Sequence, residues 1–151
     1  SGTPKYFFEK ITMKDYIELE KLFESGEQMY SFDATFSEKG KDGKPERLFN
    51  WETGKVNPVT AKRWERYDLS KIVSKLGNKK RASLANKIHI YVAEDDEFNL
   101  DEPVKAFQKV LNKLGISSEI IFSKNGGHSK MWTEALTKNI HNQIDAMLKN
   151  N

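Results

Sequence analysis

The run Lys87-Ile88-His89-Ile90-Tyr91-Val92-Ala93 constrains this chain most, because it is short, rich in β-branched and aromatic residues, and apolar on both faces apart from His89. Such a run is expected of a strand buried on both sides, as in a parallel sheet. Downstream, Glu102 to Leu114 sets Val104, Phe107, Val110, Leu111 and Leu114 along one helical stripe, and Gly115 stands where a left-handed C-terminal residue belongs. Glu119-Ile120-Ile121-Phe122 predicts a second strand. A last helix from about Lys130 to Leu148 would carry Trp132, Ala135, Leu136, Ile140, Ile144 and Leu148 on its apolar side. Strand, helix, strand and helix in succession form a βαβα unit whose right-handed crossover makes the strands parallel. The expected fold class is therefore α/β.

Residues 1–77 read differently from residues 78–151, as a helical and loop segment ahead of the α/β part. From Tyr6 to Tyr30, Ile11, Tyr16, Leu19, Leu22 and Phe23 recur at helical spacing, with Thr12 as N-cap before Met13-Lys14-Asp15. Between Ser31 and Pro58, Gly40, Gly43, Pro45, Gly54 and Pro58 punctuate charged residues, which predicts loops with little regular structure, anchored by Leu48, Phe49 and Trp51. From Val59 to Leu76, Trp64, Tyr67, Leu69, Ile72, Val73 and Leu76 suggest helix again, broken near Asp68-Leu69-Ser70, where Asp68 or Ser70 would cap a second segment. Gly77-Asn78-Lys79-Lys80 is expected to end it. No convincing strand occurs in this half. Two parallel strands make an incomplete sheet, so the remaining strands are expected from sequence before Ser1 or from another chain.

Composition narrows the function classes. With 37% hydrophobic and 31% charged residues and a mean hydropathy of -0.72, the chain is polar, yet nine Phe, five Tyr and three Trp argue against disorder. The net charge is only +3, and the one dense basic run, Lys79-Lys80-Arg81, is not the broad basic face that nucleic acid requires. No apolar run approaches the roughly 20 residues that span a bilayer, so no membrane role is expected. The chain has no cysteine, so neither a disulfide nor a thiolate metal site can form.

The first strand runs into Glu94-Asp95-Asp96-Glu97-Phe98 and the second into Asn125-Gly126-Gly127-His128-Ser129. Parallel strands present functional groups beyond their carboxyl ends, so an acid from one loop and an imidazole from the other can meet. A carboxylate holding one ring N–H fixes the tautomer while the other ring nitrogen takes a proton from a nucleophile. Paired glycines before His128 let the backbone turn sharply. Acid before histidine, 32 positions apart for Asp96 and His128, is the order that follows the nucleophile in α/β-hydrolases. A metal site from Asp95, Asp96 and His128 fits no ligand spacing. His89, inside a strand, reads as a packed histidine, and His141 is assigned no role.

These residues resemble a bacterial esterase family of the α/β-hydrolase fold. The likeness is carried by Trp64 with Tyr67-Asp68-Leu69, by Ile88 to Leu100 with Glu102-Pro103-Val104, and by Gly126-Gly127-His128 with Trp132, covering roughly residues 50–148. In that family a Gly-acid-x-Asp motif supplies the triad acid. Aligned on Ala93-Glu94-Asp95-Asp96, it makes Asp96 the match and Asp95 second, with Ala93 in place of the glycine. The resemblance implies a partial α/β-hydrolase fold with Asp96 and His128 as triad partners, a small-molecule ester as substrate of the complete protein, and no cofactor. Gly-x-Ser-x-Gly occurs nowhere, and neither Ser123 nor Ser129 has a motif behind it, so the chain alone should not hydrolyse esters. The helical segment would be an insertion serving as lid or recognition cap, with Trp51 and Trp64 as candidates for an apolar acyl pocket. The partner would be an N-terminal hydrolase half or a second copy of the chain. The competing expectation is a non-catalytic module that binds or self-associates through its strand edges.

Overall fold

The computed structural model describes residues 12–22, 27–124 and 127–149. The chain divides into two compact units at Arg81 and Ala82. The positions Tyr6, Ile11 and Phe23 of the expected first helix, and Asn125 and Gly126 of the histidine loop, lie outside the described residues.

In the N-terminal unit, α1 spans Met13–Leu22 and α2 spans Glu27–Phe36. Thr12 caps α1 as its sequence predicts: Asp15 N donates to Thr12 Oγ1 at 3.2 Å, and Thr12 N donates to Asp15 Oδ2 at 2.9 Å. The Thr12 hydroxyl, donating to Asp15 Oδ2 at 2.6 Å, and then the Thr12 N–H hold the Asp15 carboxyl below its ordinary value. Ile17 and Met29 are buried, and Tyr16 Oη donates to Gln28 Oε1 at 2.5 Å between the two helices. The loop expected from Ser31 onward does not begin there. Residues 31–36 continue α2, since they lack glycine and proline and place Phe32 and Phe36 one turn apart with ring centroids at 6.4 Å. The remaining excursion is held by antiparallel bridges from Lys39 to Pro45 and from Phe49 to Val56.

Helix α3, Pro58–Trp64, starts with proline at its first turn and the Asn57 side chain accepting from Val59 N and Thr60 N. A 3-10 turn, Glu65–Tyr67, leads to α4, Leu69–Lys75, capped by Asp68, whose side chain accepts from Ser70 N and Lys71 N. Phe36 packs against both Trp64 and Tyr67, and Trp64 Nε1 donates to Ser37 Oγ at 2.8 Å. Helix α4 ends ahead of Gly77 as expected, but the residues that follow are not loop. Asn78–Ala82 forms a further turn of helix, α5, where Arg81 Nη2 donates to Ser74 O at 2.6 Å.

Asp33 in α2 is 1% exposed; its Oδ1 accepts from Leu48 N at 3.0 Å, and its Oδ2 has no hydrogen-bond partner among the described residues. Burial pushes this carboxyl above its ordinary 3.8, against the opposing pull of the Leu48 N–H and the Arg47 charge. Because the folded pKa exceeds the unfolded one, the stability Asp33 contributes is full below 3.8 and is lost as pH rises through the raised value. Asp33→Asn, which keeps an acceptor for Leu48 N and removes the charge, is therefore expected to stabilise the N-terminal unit at pH 7. A gain of about 1 kcal/mol would raise Tm by about 4–8 °C. Thermal unfolding followed against pH should show the difference shrink as pH falls toward 3.8.

The C-terminal unit contains β1, His89–Ala93, α6, Asp101–Lys113, β2, Glu119–Ser123, a single turn α7, Gly127–Lys130, and α8, Glu134–Lys149. The strands pair in parallel in one two-stranded sheet, in register from His89 opposite Glu119 to Ala93 opposite Ser123. The βαβα order read from the sequence is thus present, as a mixed α/β unit. Helix α6 buries Phe107 and Leu111 from its predicted stripe. Gly115 has φ +66 and nothing near its missing side chain, so it ends α6 in the left-handed region. Val92, Ala93, Ile116 and Met131 complete the buried core.

Two expectations fail here. β1 is not buried along its length: residues 89–91 are half-buried and only Val92 and Ala93 are buried, while Ile121 on β2 is exposed. Trp132 is not on the last helix: Thr133 Oγ1 accepts from Leu136 N at 3.2 Å and starts α8 after it, leaving Trp132 exposed. Helix α8 itself buries no residue, although Tyr91 Oη to Gln143 Oε1 at 2.5 Å and Gln143 Nε2 to Glu119 Oε2 at 2.9 Å tie it to both strands.

Candidate active site

Both candidate loops leave the carboxyl end of the sheet, and Glu94 N donating to Ser123 O at 2.8 Å carries the strand pairing to their start. Beyond it the acid loop folds back tightly. Asp96 Oδ1 accepts from Phe98 N at 2.9 Å, Asn99 N donates to Asp96 O at 3.0 Å, and Asn99 takes φ +55. Asp96 is fully buried at 0% exposure. The turn leaves its second oxygen facing the histidine loop.

His128 Nδ1 lies 2.9 Å from Asp96 Oδ2. A carboxylate accepts and does not donate, so the proton of this bond sits on Nδ1 and the neutral ring carries its lone pair on Nε2. The His128 side chain is 43% exposed while that of Asp96 is 1% exposed. One end of the pair is therefore held in the protein and the other is open to a reactant. The Phe98 ring stands edge-on to the imidazole, centroids 5.3 Å apart at 83°, on the exposed side of the loop.

Of the two acids weighed for this position, the one that meets the ring is Asp96. Asp95 Oδ1 instead accepts from Gly127 N at 3.0 Å, and Glu97 Oε2 accepts from His128 N at 2.8 Å. The contacts of Glu97 and Phe98 were not legible in sequence, because Asp95, Asp96, Glu97 and Phe98 all meet the histidine loop and no periodic pattern marks such a turn. Ser123 and Ser129 make no hydrogen bond to the imidazole among the described residues. His89 is packed at the opposite end of the strands, with Nε2 3.0 Å from Asn86 O and Nδ1 3.1 Å from Glu119 Oε2.

No cluster of three or more histidine, cysteine or acidic residues among the described residues could hold a metal ion, and no described helix is long and apolar enough to cross a membrane. Trp64 is taken up by Phe36 and Ser37, and Trp51 lies under the Arg47 guanidinium, 3.9 Å from its ring centroid, beside a cavity of about 350 Å³ in the N-terminal unit. Comparison with known proteins finds no matching family model, no matching curated protein and no matching solved structure. The geometry of the Asp96–His128 pair therefore carries the functional reading.

Proposed function

We propose that the chain is the acid-and-histidine half of a serine acyl hydrolase of the α/β-hydrolase fold. A single observation carries this reading: a wholly buried carboxylate 2.9 Å from Nδ1 of a half-exposed imidazole at the carboxyl end of parallel strands. In this reading His128 Nε2 takes the proton of a serine hydroxyl as that oxygen attacks an ester carbonyl, then returns it to the departing alcohol. Asp96 orients the ring and stabilises the imidazolium between the two transfers. The serine and the remaining parallel strands come from an N-terminal hydrolase half, the substrate is a small-molecule ester, and no cofactor takes part.

A non-catalytic, self-associating module is the second reading. The two-stranded sheet favours it, because each strand has one edge unpaired among the described residues and Ile121 on β2 is exposed.

Fluorophosphonate labelling read by intact mass separates the two. Residues 1–151 are expected to stay unlabelled, and protein expressed from the whole reading frame is expected to take one adduct on a serine, lost in His128→Ala. An adduct on residues 1–151 themselves would put the nucleophile inside this chain. An unlabelled, folded product of the whole frame would sink the hydrolase reading and leave the module.

A further inference from the structure

The Asp96–His128 bond depends on where the histidine loop sits, and two carboxylates of the acid loop hold that loop by its backbone. Asp95 and Glu97 accept from the consecutive N–H groups of Gly127 and His128 at 3.0 and 2.8 Å. Flanking Asp96 on either side, they fasten the histidine loop to the same turn that supplies the carboxylate. Gly127 completes the fit. Its φ is +72, and a Cβ built there would fall well inside 3.0 Å of Glu97 Oε2, closer than real Cβ atoms approach. Any side chain at that position would drive Glu97 off the His128 N–H.

We propose that Glu97 is a positioning residue, whose carboxylate docks the backbone of His128 over Gly127 so that Nδ1 meets Asp96. Glu97 touches no reacting atom; it acts through His128. A charged acceptor for a backbone N–H makes a stronger bond than a neutral one, and this one spans the two loops rather than neighbours in sequence. The glycine before His128 serves this contact: it supplies the left-handed turn and the empty space in which the Glu97 carboxylate lies. This positioning rests on the acyl-hydrolase reading for its purpose, though not for its geometry.

The test uses residues 1–151 and the low-field proton resonance of His128 Nδ1–H, the signature of its bond to Asp96. Glu97→Ala is expected to abolish that resonance while the circular dichroism of the fold is kept, and Glu97→Gln, whose amide oxygen still accepts from His128 N, is expected to retain it. A resonance unchanged in Glu97→Ala, or lost as completely in Glu97→Gln, would overturn the proposal. Should Glu97→Ala fail to fold, a double-mutant cycle replaces it. Gly127→Ala is expected to lower Tm less in a Glu97→Asp background than in the native one, because the carboxylate, one methylene shorter, is withdrawn from the clash and only the strain of φ +72 remains. Equal losses would mean that Glu97 does not occupy that space. Failure of the wider reading looks different: the native chain would then show no Nδ1–H resonance that Asp96→Asn removes.

Discussion

Asp96→Asn is expected to lower kcat for ester hydrolysis by about 10⁴-fold in the assembled hydrolase proposed above, the scale on which a triad loses activity when its histidine takes the wrong tautomer. The cause lies in the two bonds of this carboxylate. Oδ1 accepts from Phe98 N and Oδ2 from His128 Nδ1, so both oxygens act as acceptors. An asparagine has one acceptor and one donor. If its oxygen keeps Phe98 N, the amide N–H faces Nδ1, which must then accept, and the ring proton moves to Nε2. The nitrogen that should take the serine proton is blocked. Turning the amide over restores the ring bond and leaves the amide nitrogen facing Phe98 N, two donors opposed in a site of 0% exposure. Steady-state kinetics on the variant should show the loss in kcat with KM nearly unchanged. A fall of less than tenfold would mean that the carboxylate does not set the tautomer.

Leu111→Ala is expected to destabilise the C-terminal unit by about 2–5 kcal/mol. Leu111 is 0% exposed and lies on the buried stripe of α6 with Phe107, against a core that includes Val92 and Ala93 of β1. Few other residues of this unit are buried, and α8 buries none, so little remains to close the cavity. Where amide exchange follows global opening, that cost corresponds to about 30-fold or more in the exchange rates of the Ile90–Ala93 amides. Ile144→Ala, on the exposed face of α8, should change them by less than about threefold, as expected of a surface substitution within about 0.5 kcal/mol. Comparable exchange in both variants would show that α6 does not hold the sheet.

The parts of the fold that could be read from the sequence are those fixed by local chemistry. Thr12 and Asp68 cap their helices with their own side chains, Gly115 takes a conformation few other residues tolerate, and the β-branched run to Ala93 pairs with the run to Ser123. Helix ends are less legible where glycine and proline are sparse. After Gly26 the next glycine or proline is Gly40, so α2 runs on through Phe36, whereas Gly77 separates α4 from α5 and a new turn of helix follows at once. The spacing of Trp132 predicts it inside the last helix, but Thr133 caps that helix and leaves Trp132 ahead of it. The pairing of a strand-end acid with His128 followed from parallel topology. Which of three consecutive carboxylates reaches the ring did not, because that depends on how the turn at Asn99 aims Asp95, Asp96 and Glu97.

The central claim is that Asp96 holds His128 as the tautomer a general base requires. Nitrogen-15 NMR of the His128 imidazole in residues 1–151, recorded above the pH at which the ring loses its charge, measures this directly. A neutral ring protonated at Nδ1, with Nε2 bearing the lone pair, is the predicted result. A ring protonated at Nε2, unaffected by Asp96→Asn, would contradict it.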